Sequence, residues 1–372
     1  MSGPDPDRAQ IDARVLAWLR EPDAIDADPA ATEARFTELA LALFAHQFEH
    51  CPPYGRFCDG RGRTPTNVHD WREIPPVPTG SFKELDLRSF PAERVVHAFR
   101  TSGTSTERRG TLWLDTLELY EASLLPTFHA HVLPDLLERP ITLRVLAPSV
   151  EEAPDSSLSH MFDTVLRAGG LAGGGFDVKQ GRLDIDGLHR HIERARETGD
   201  AIALCGTSFA FVHWLDALAA RNLRFGLPEG SRVMETGGFK GRSRVLERGE
   251  LHDALGERLG LPPERIVNQY GMTELGSQFY DSVLRRPREP RRKLAPPWAR
   301  VRVVEPTTGE EVPDGDVGAV VIVDLANTGS IQAIQTADLG RQVDRGFEVI
   351  GRDPGAEARG CSIAADAMLG AP

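Results

Sequence analysis

The sequence predicts an α/β fold around a mostly parallel sheet, followed by a smaller β-rich section. Short apolar runs between residues 94 and 271 end in small or polar residues, and a helical pattern follows most of them, which is typical of β-α units. These runs are RVVHAF, ITLRVLAPS, AIALCGTS, SRVMETGG and RIVNQYG. From residue 298 onward, strand-like runs alternate with turn residues. We therefore expect an α/β core over residues 1–297 and a small β-rich subdomain over residues 298–372.

Two amphipathic helices are expected before the sheet, over residues 10–22 and 31–50. Apolar residues recur there at helical spacing. The next segment, EIPPVPTGSFKELDL at residues 73–87, is rich in proline. Because proline and the residue before it disfavour helix, this segment is expected to be extended and to lead into a short helix or turn.

The composition argues against several classes of protein. The chain carries 43 Lys and Arg against 55 Asp and Glu, a net charge of -12, which argues against a nucleic-acid binder and against adhesion to anionic membranes. No stretch reaches the ~18 apolar residues of a membrane span, and no signal peptide is recognised at the N-terminus. The four cysteines form no C-x-x-C pair. We expect a cytoplasmic protein with reduced thiols.

One dense basic run, RRPREPRRK, occupies residues 285–293. Its prolines predict a loop, and we interpret it as a solvated linker. A docking patch for an acidic partner is the alternative interpretation.

The first candidate motif is the loop TSGTSTERRG, residues 101–110, which gathers hydroxyls, glycines and two arginines. Ligands of parallel sheets bind at the carboxyl ends of the strands, and donors of this kind can converge on a phosphate. The loop is not a P-loop, because G-x-x-x-x-G-K-[ST] is absent from the chain. An ordinary polar turn is the alternative.

Two further motifs follow apolar runs. In NQYGMTELG, residues 268–276, Thr273 could bond a phosphate oxygen and Glu274 could hold Mg²⁺, or Thr273 could simply cap a helix. In TADLGRQVDRGFEVIGR, residues 336–352, Asp338 could take the two hydroxyls of a ribose, or it could form an Asp turn.

Together, the three motifs resemble those of the adenylate-forming superfamily in order and approximate spacing. The chain resembles the LuxE-type acyl-protein synthetases most closely, through IPPVPTGSFKELDL, DSSLSHMF, ETGGFKGRSR and ARGCS, over roughly residues 70–365. The resemblance implies an acyl-CoA synthetase-like large domain, ATP and Mg²⁺ as cofactors, and a carboxylic acid, in that family a fatty acid, as substrate.

The resemblance also implies an ATP site. The phosphate-binding loop would consist of Thr101, Ser102, Gly103, Thr104 and Ser105. The adenine pocket would consist of Gly237, Gly238, Asn268 and Tyr270. The ribose site would consist of Asp338 and Arg352.

The catalytic residues implied by the resemblance are Thr273, Glu274 and Cys361. Thr273 would touch the α-phosphate, Glu274 would bind Mg²⁺, and the thiol of Cys361 would accept the acyl group. The lysine on the superfamily's C-terminal lid, which stabilises the leaving pyrophosphate, has no counterpart that we recognise. We expect Lys240 to replace it, because Lys240 follows the glycine strip; Arg109 and Lys83 are the other candidates.

The chain also departs from the superfamily motifs. The usual loop reads T-S-G-T-T-G-x-P-K-G, and here Thr106, Arg108 and Arg109 replace the second Gly, the Pro and the Lys. An arginine keeps the charge of the lysine but not its compact ammonium. The usual T-G-D is T-A-D, with Ala337 at the glycine position.

The implied reaction is activation of the acid by ATP to acyl-AMP, followed by transfer of the acyl group to a protein cysteine, with an acyl reductase or another acyl-acceptor protein as the expected partner. Three alternatives remain open. The first is an adenylating enzyme that passes the acyl group to CoA, a carrier protein or a small molecule. The second is a serine hydrolase built on Ser208, because GTSFA is close to G-x-S-x-G. The third is a non-catalytic acyl-binding protein. Cys205, at the end of an apolar run, is expected in the core.

Overall fold

A computed structural model describes residues 6–102, 108–169, 171, 173–237 and 247–353. The contacts between residues divide the chain into two compact units, each described by itself below. Unit 1 comprises Met1–Pro126, Met272–Gln278 and Leu294–Pro372, and unit 2 comprises Thr127–Gly271 and Phe279–Lys293. The expected domain boundary between residues 297 and 298 stays a prediction.

The helices and strands alternate along most of the described chain. The helices are α1 (Pro6–Leu19), α2 (Pro29–His50), α3 (Pro52–Asp59), α4 (Ser81–Glu84), α5 (Glu118–Val132), α6 (Ser157–Arg167), α7 (Ile185–Thr198), α8 (Ser208–Ala220) and α9 (Arg248–Leu259). The strands are β1 (Val77–Pro78), β2 (His97–Arg100), β3 (Thr111–Leu114), β4 (Ile141–Leu146), β5 (Gly175–Phe176), β6 (Val178–Lys179), β7 (Arg182–Leu183), β8 (Ala201–Thr207), β9 (Arg232–Thr236), β10 (Ile266–Tyr270), β11 (Phe279–Asp281), β12 (Lys293–Leu294), β13 (Ala299–Val304), β14 (Gly318–Asp324), β15 (Ala333–Val343) and β16 (Gly346–Arg352).

Unit 2 contains the parallel sheet that the sequence predicts. Its strands lie in the order β11-β10-β9-β8-β4-β5, and every neighbouring pair is parallel except β10 with β11. Every residue of β8 except Thr207 is buried, as expected when both faces of a parallel sheet are covered. Trp214 of α8 and Leu255 of α9 pack with Leu204 and Val233 in one core cluster.

In unit 2, capping residues define both ends of α7. The carboxylate of Asp184 accepts a hydrogen bond of 2.9 Å from the amide of Gly187, which caps the N-terminus of α7. The same helix ends at Gly199, whose φ of 77° is left-handed and favours glycine. These two caps set the bounds of α7, and β8 begins two residues after Gly199.

Unit 1 contains an antiparallel sheet that packs against α2. The strands lie in the order β13-β14-β15-β16, and β1 adds to β15 in parallel. Arg300 of β13 donates to the Glu33 carboxylate at 3.1 Å, and the Gln332 side chain donates to the Ala40 carbonyl at 2.9 Å. The helices predicted over residues 10–22 and 31–50 are therefore confirmed as α1 and α2, and they belong to the same unit as the C-terminal strands.

One predicted element is wrong: the run RVVHAF does not enter the parallel sheet. Part of it forms β2, which pairs antiparallel with β3 in unit 1. Only residues 101–110 join these two strands, which is too few for the crossover that a parallel pair requires. The loop TSGTSTERRG therefore connects a β-hairpin and does not follow a parallel strand.

Candidate functional site

The base of the candidate phosphate loop is closed by Thr101 and Gly110 in unit 1. The amide of Thr101 donates to the carbonyl of Gly110 at 2.9 Å, and the amide of Gly110 donates to the Thr101 hydroxyl at 2.9 Å. Ser102 is exposed beside this base. Thr101 and Ser102 are thus placed at the start of the loop. Their contact with ATP phosphates stays a prediction, and the other three loop residues, Gly103, Thr104 and Ser105, lie outside the described residues.

The two arginines of the loop, Arg108 and Arg109, make polar contacts with neighbouring residues. The Arg109 guanidinium donates to the carbonyls of Thr101 and Arg100, at 2.5 and 3.2 Å. Arg108 forms an ion pair of 3.2 Å with Glu84 of α4. The charge of Arg109 therefore lies at the base of the loop.

Glu274 lies against the base of the same loop. An ideal Cβ placed on Gly110 would be 3.5 Å from Glu274 Oε1 and 3.2 Å from Thr101 Cγ2. The Glu274 side chain is buried, and its backbone carbonyl accepts a hydrogen bond of 2.9 Å from Asn327. Thr273 lies in a turn that does not lead into a helix, so it is not the helix cap considered above. Unit 1 thus brings Thr101 and Glu274 together around a glycine that the sequence analysis missed.

The segment after Glu274 is clamped by Asp324. The amide and hydroxyl of Ser277 donate to the two carboxylate oxygens of Asp324 at 2.8 and 2.7 Å. Gly276 approaches so closely that an added Cβ would lie 2.9 Å from the backbone of Ala326. Burial raises the pKa of Asp324, and its hydrogen bonds oppose that rise. This clamp fixes the backbone that carries Thr273 and Glu274, and no motif in the chain indicates it.

Asp338 and Arg352 lie opposite each other in the antiparallel sheet of unit 1. They are cross-strand partners on β15 and β16, and their side chains form an ion pair of 3.9 Å. The Asp338 side chain is largely buried and the Arg352 side chain is largely exposed. The pairing that the resemblance implies is therefore present, within a strand instead of an Asp turn.

Gly237 follows β9 in unit 2. Its φ is 84°, a left-handed value that favours glycine, and an added Cβ would meet none of the described residues within 4 Å. Its carbonyl oxygen lies 3.1 Å from the hydroxyl oxygen of Ser208. The backbone at Gly237 therefore lies against the start of α8. Gly238 and Lys240 lie outside the described residues.

Tyr270 is the last residue of β10, the strand next to β9. Thr236 and Gln269 are partners across these two parallel strands, so Gly237 and Tyr270 lie at the neighbouring carboxyl ends of the two strands. The Tyr270 ring is half-buried, and its centroid lies 6.2 Å from that of Phe279. Unit 2 thus brings together two of the predicted adenine-binding residues.

Asn268 is placed differently from Tyr270, because its side chain is buried in a polar network. Its Nδ2 donates to Glu235 at 2.6 Å, and Lys293 donates to its Oδ1 and, at 2.9 Å, to its backbone carbonyl. Both polar ends of the side chain are therefore engaged by the protein. A direct contact between Asn268 and adenine stays a prediction.

Ser208 does not form a hydrolase triad with the residues around it. It is buried at the start of α8, and its hydroxyl donates to Glu235 at 2.5 Å. The Nε2 of His252 lies 3.1 Å from the other oxygen of that carboxylate. In a triad the histidine stands between the serine and the acid, whereas here the acid stands between the other two. This arrangement argues against the hydrolase alternative.

Three of the four cysteines are buried structural residues: Cys51, Cys58 and Cys205. Burial raises the pKa of Cys51 to about 11 and that of Cys58 to about 12, and it raises the pKa of Cys205 further. Because the thiolate is the reactive form, these thiols are unreactive near neutral pH. The expectation that Cys205 lies in the core is confirmed. Cys361 lies outside the described residues.

Similarity to known proteins agrees with these features. The family described as "Acyl-protein synthetase, LuxE" matches residues 11–369. A long-chain-fatty-acid–luciferin-component ligase from Aliivibrio fischeri is 24% identical over 306 residues, which cover 82% of this chain and 78% of that protein. Its namesake from Vibrio harveyi is 22% identical over 307 residues, with the same coverage of 82% and 78%.

Solved structures show the same fold. A 2-hydroxyisobutyryl-CoA ligase in complex with 2-HIB-AMP and CoA aligns with a TM-score of 0.64 at 16% identity, over 89% of this chain and 70% of that one. An open conformation of the ligase aligns with a TM-score of 0.60 at 15% identity, over 85% and 74%. The expected adenylate-forming fold is thereby confirmed. By the extent of the family match, the chain belongs to the LuxE acyl-protein synthetases.

Proposed function

We propose that this protein activates a fatty acid with ATP and then transfers the acyl group to its own Cys361. The observation that carries the proposal is the placement of Glu274 against Gly110 at the base of the hydroxyl-rich loop, in a chain of the acyl-protein synthetase family. The names of the two bacterial relatives support a long-chain fatty acid as the substrate class.

Glu274 is the residue proposed to hold Mg²⁺. Its carboxylate lies beside Gly110, where an ideal Cβ would be 3.5 Å from Oε1, at the base of the hydroxyl-rich loop. Among the described residues, no group of three or more His, Cys, Asp or Glu could hold a metal ion. This fits Mg²⁺, which proteins commonly bind through one or two carboxylates together with substrate phosphates and water. When bound, the ion would neutralise charge on the phosphates.

The first step is attack of a carboxylate oxygen of the fatty acid on the α-phosphorus of ATP. The new bond joins oxygen to phosphorus, and the bond to pyrophosphate breaks. The protein's task is to position the reactants and to neutralise charge. We assign the phosphates to the loop that starts at Thr101 and to Thr273, the ribose to Asp338, and the adenine to the strand ends at Gly237 and Tyr270.

The second step is attack of the Cys361 thiolate on the acyl carbon of the acyl-AMP. A carbon–sulfur bond forms, the bond to AMP breaks, and the thiol proton is released to solvent. The other three cysteines are buried with raised pKa values, which supports Cys361 as the acceptor. Transfer to CoA or a small molecule is not favoured, because the family to which the chain belongs acylates protein.

The acyl group then requires an acceptor, for which we propose an acyl reductase or another acyl-acceptor protein. No described helix has the length and apolar character of a membrane span. The cytoplasmic location expected from the composition stays a prediction.

The proposed first step is tested by isotope exchange between ATP and pyrophosphate. Wild-type protein should catalyse exchange only when a fatty acid and Mg²⁺ are present, with an optimum of chain length. Glu274→Gln should lower the exchange rate about a hundredfold, since the Mg²⁺ ligand is lost. Glu348→Gln is the control, because Glu348 pairs with Arg341 on the surface of the antiparallel sheet. No exchange with any acid from butyrate to stearate would contradict the proposal.

A further inference from the structure

A buried network of charged and polar side chains lies below the ends of β9 and β10 in unit 2. Its members come from β9, β10, β11, α8, α9 and the end of the basic run, where β12 begins. They are Ser208, Glu235, His252, Asn268, Asp281, Arg291 and Lys293. The interpretation of the basic run as a solvated linker is wrong for its last two residues, Arg292 and Lys293, whose side chains are each 3% exposed.

Lys293 is the centre of this network. Its ammonium donates to Asp281 Oδ1 at 2.6 Å, to the Asn268 carbonyl at 2.9 Å and to Asn268 Oδ1. An ammonium group has three N–H donors, and three acceptors surround this one. Lys293 therefore binds both the backbone carbonyl and the side chain of one strand residue, Asn268.

Asn268 is held on its remaining sides by two carboxylates. Its backbone amide donates to Asp281 Oδ2 at 3.0 Å, and its side-chain Nδ2 donates to Glu235 Oε1 at 2.6 Å. The other oxygen of Glu235 accepts from Ser208 at 2.5 Å. The same serine hydroxyl also contacts the carbonyl of Gly237 at 3.1 Å. Hydrogen bonds thus join Lys293 to Ser208 through Asn268 and Glu235, and Ser208 lies against the backbone of Gly237.

Stability alone is a poor reason for burying such a network. Removing ions from water is costly, and well-packed apolar residues often give an equal or greater stability than a buried ion pair. A fully satisfied polar network does, however, fix geometry closely. The geometry fixed here is that of Asn268, two residues before Tyr270, and of Glu235, two residues before Gly237.

We propose that Lys293 is a positioning residue for nucleotide binding, which acts by holding Asn268 and thereby the strand ends that carry Tyr270 and Gly237. This inference rests on the proposed function, because it takes those strand ends as the adenine subsite. Lys293 itself contacts neither the nucleotide nor the acid. Its removal should weaken ATP binding and leave the turnover of bound ATP largely unchanged.

The test compares two variants with a matched control. Lys293→Met removes the ammonium and leaves Asp281 partly uncompensated. The double variant Lys293→Met with Asp281→Asn removes one positive and one negative charge, so the net charge of the buried site stays the same. It therefore keeps the test usable if the single variant does not fold. Arg286→Gln is the control, because Arg286 belongs to the same basic run but its side chain pairs with Glu289, at 3.5 Å, on the surface. The measurements are the ATP dissociation constant by calorimetry, kcat for adenylation, and the melting temperature.

If Lys293 positions the subsite, both Lys293 variants should bind ATP about tenfold more weakly, a loss of ~1.4 kcal/mol. The weaker binding should persist in the double variant even as its melting temperature recovers, and kcat should change little. Recovery of ATP affinity together with the melting temperature would overturn the inference, since the role would then be structural only. Unchanged affinity in both Lys293 variants would overturn it as well.

Failure of the proposed function has a separate signature: the wild-type protein would bind no ATP. The positioning role is then judged by amide hydrogen exchange in the nucleotide-free protein. Faster exchange confined to residues 269–271 in both Lys293 variants would support it. Exchange equal to that of wild type over those residues would overturn it.

Discussion

Gly110 lies against the carboxylate of Glu274, with 3.5 Å between an ideal Cβ on the glycine and Glu274 Oε1. Replacing this glycine with valine should therefore crowd the carboxylate and the methyl group of Thr101, which is 3.2 Å from the same Cβ position. We expect Gly110→Val to lower the adenylation rate about a hundredfold, because small misplacements of reacting groups are costly. Pyrophosphate exchange measures the effect.

The matched control for this prediction is Gly226→Val. An added Cβ at Gly226 would meet none of the residues that the structure describes within 4 Å, so the same substitution should leave adenylation near the wild-type rate. Wild-type exchange by Gly110→Val would show that the glycine is not needed beside Glu274. Circular dichroism should confirm that both variants fold.

The pair of Asp338 and Arg352 offers a test within a single sheet. Asp338→Ala should raise the KM for ATP about tenfold to a hundredfold, because a carboxylate that accepts from hydroxyls contributes about 1.5–3 kcal/mol. Glu348→Ala breaks the neighbouring ion pair with Arg341 on the same two strands and should leave KM unchanged. Equal effects of the two variants on KM would indicate that Asp338 only stabilises the sheet.

The buried carboxylate of Asp281 predicts a pH dependence of stability. Burial by itself raises the pKa of Asp281, but the charges of Lys293 and Arg291 outweigh burial and hold that pKa below its usual 3.8. Since the pKa is lower in the folded state, the stabilisation is present above about pH 4 and is lost as the pH falls through the folded pKa. The gap in unfolding free energy between wild type and Asp281→Asn should therefore shrink below about pH 4.

Urea unfolding at a series of pH values measures that gap. Asp253→Asn, at an exposed position of α9, is the control and should change the unfolding free energy little at any pH. A gap between wild type and Asp281→Asn that grows on acidification would reverse the predicted sign.

Lys240 is the cation that we expect to act on the leaving pyrophosphate. Lys240→Ala should lower the rate of adenylation and leave the melting temperature unchanged. Arg109→Gln is the comparison, because Arg109 donates to the carbonyls of Arg100 and Thr101 and should affect the shape of the loop base as well. Single-turnover formation of acyl-AMP measures both variants. Wild-type rates for Lys240→Ala would leave Arg109 and Lys83 as candidates.

The sequence predicted the parallel strands of unit 2 because buried strands of this kind are continuous apolar runs. It was wrong for β2, since an apolar run does not show whether its partner strand is parallel. It did not identify β15 as one continuous strand, because β15 mixes buried and partly exposed residues and carries the polar segment around Asp338.

The motifs of the candidate site could be recognised from short stretches of sequence. The hydrogen bonds that hold these motifs join residues far apart in the chain and could not be predicted. Asp324 clamps Ser277, and Lys293 holds Asn268, across stretches of chain that carry no common pattern. The pattern of charged residues also does not show which of them are buried. The basic run resembled a solvated loop, yet the side chains of Arg292 and Lys293 are each 3% exposed.

Acylation of Cys361 is the central claim, and the mass of the intact protein tests it most directly. Wild-type protein and Cys361→Ser are incubated with ATP, Mg²⁺ and a panel of fatty acids, and hydroxylamine is added afterwards. We expect an acyl adduct on wild type alone, which hydroxylamine removes, because a thioester is labile to it. An adduct of equal extent on Cys361→Ser, or AMP formation without any adduct on wild type, would contradict the role of Cys361.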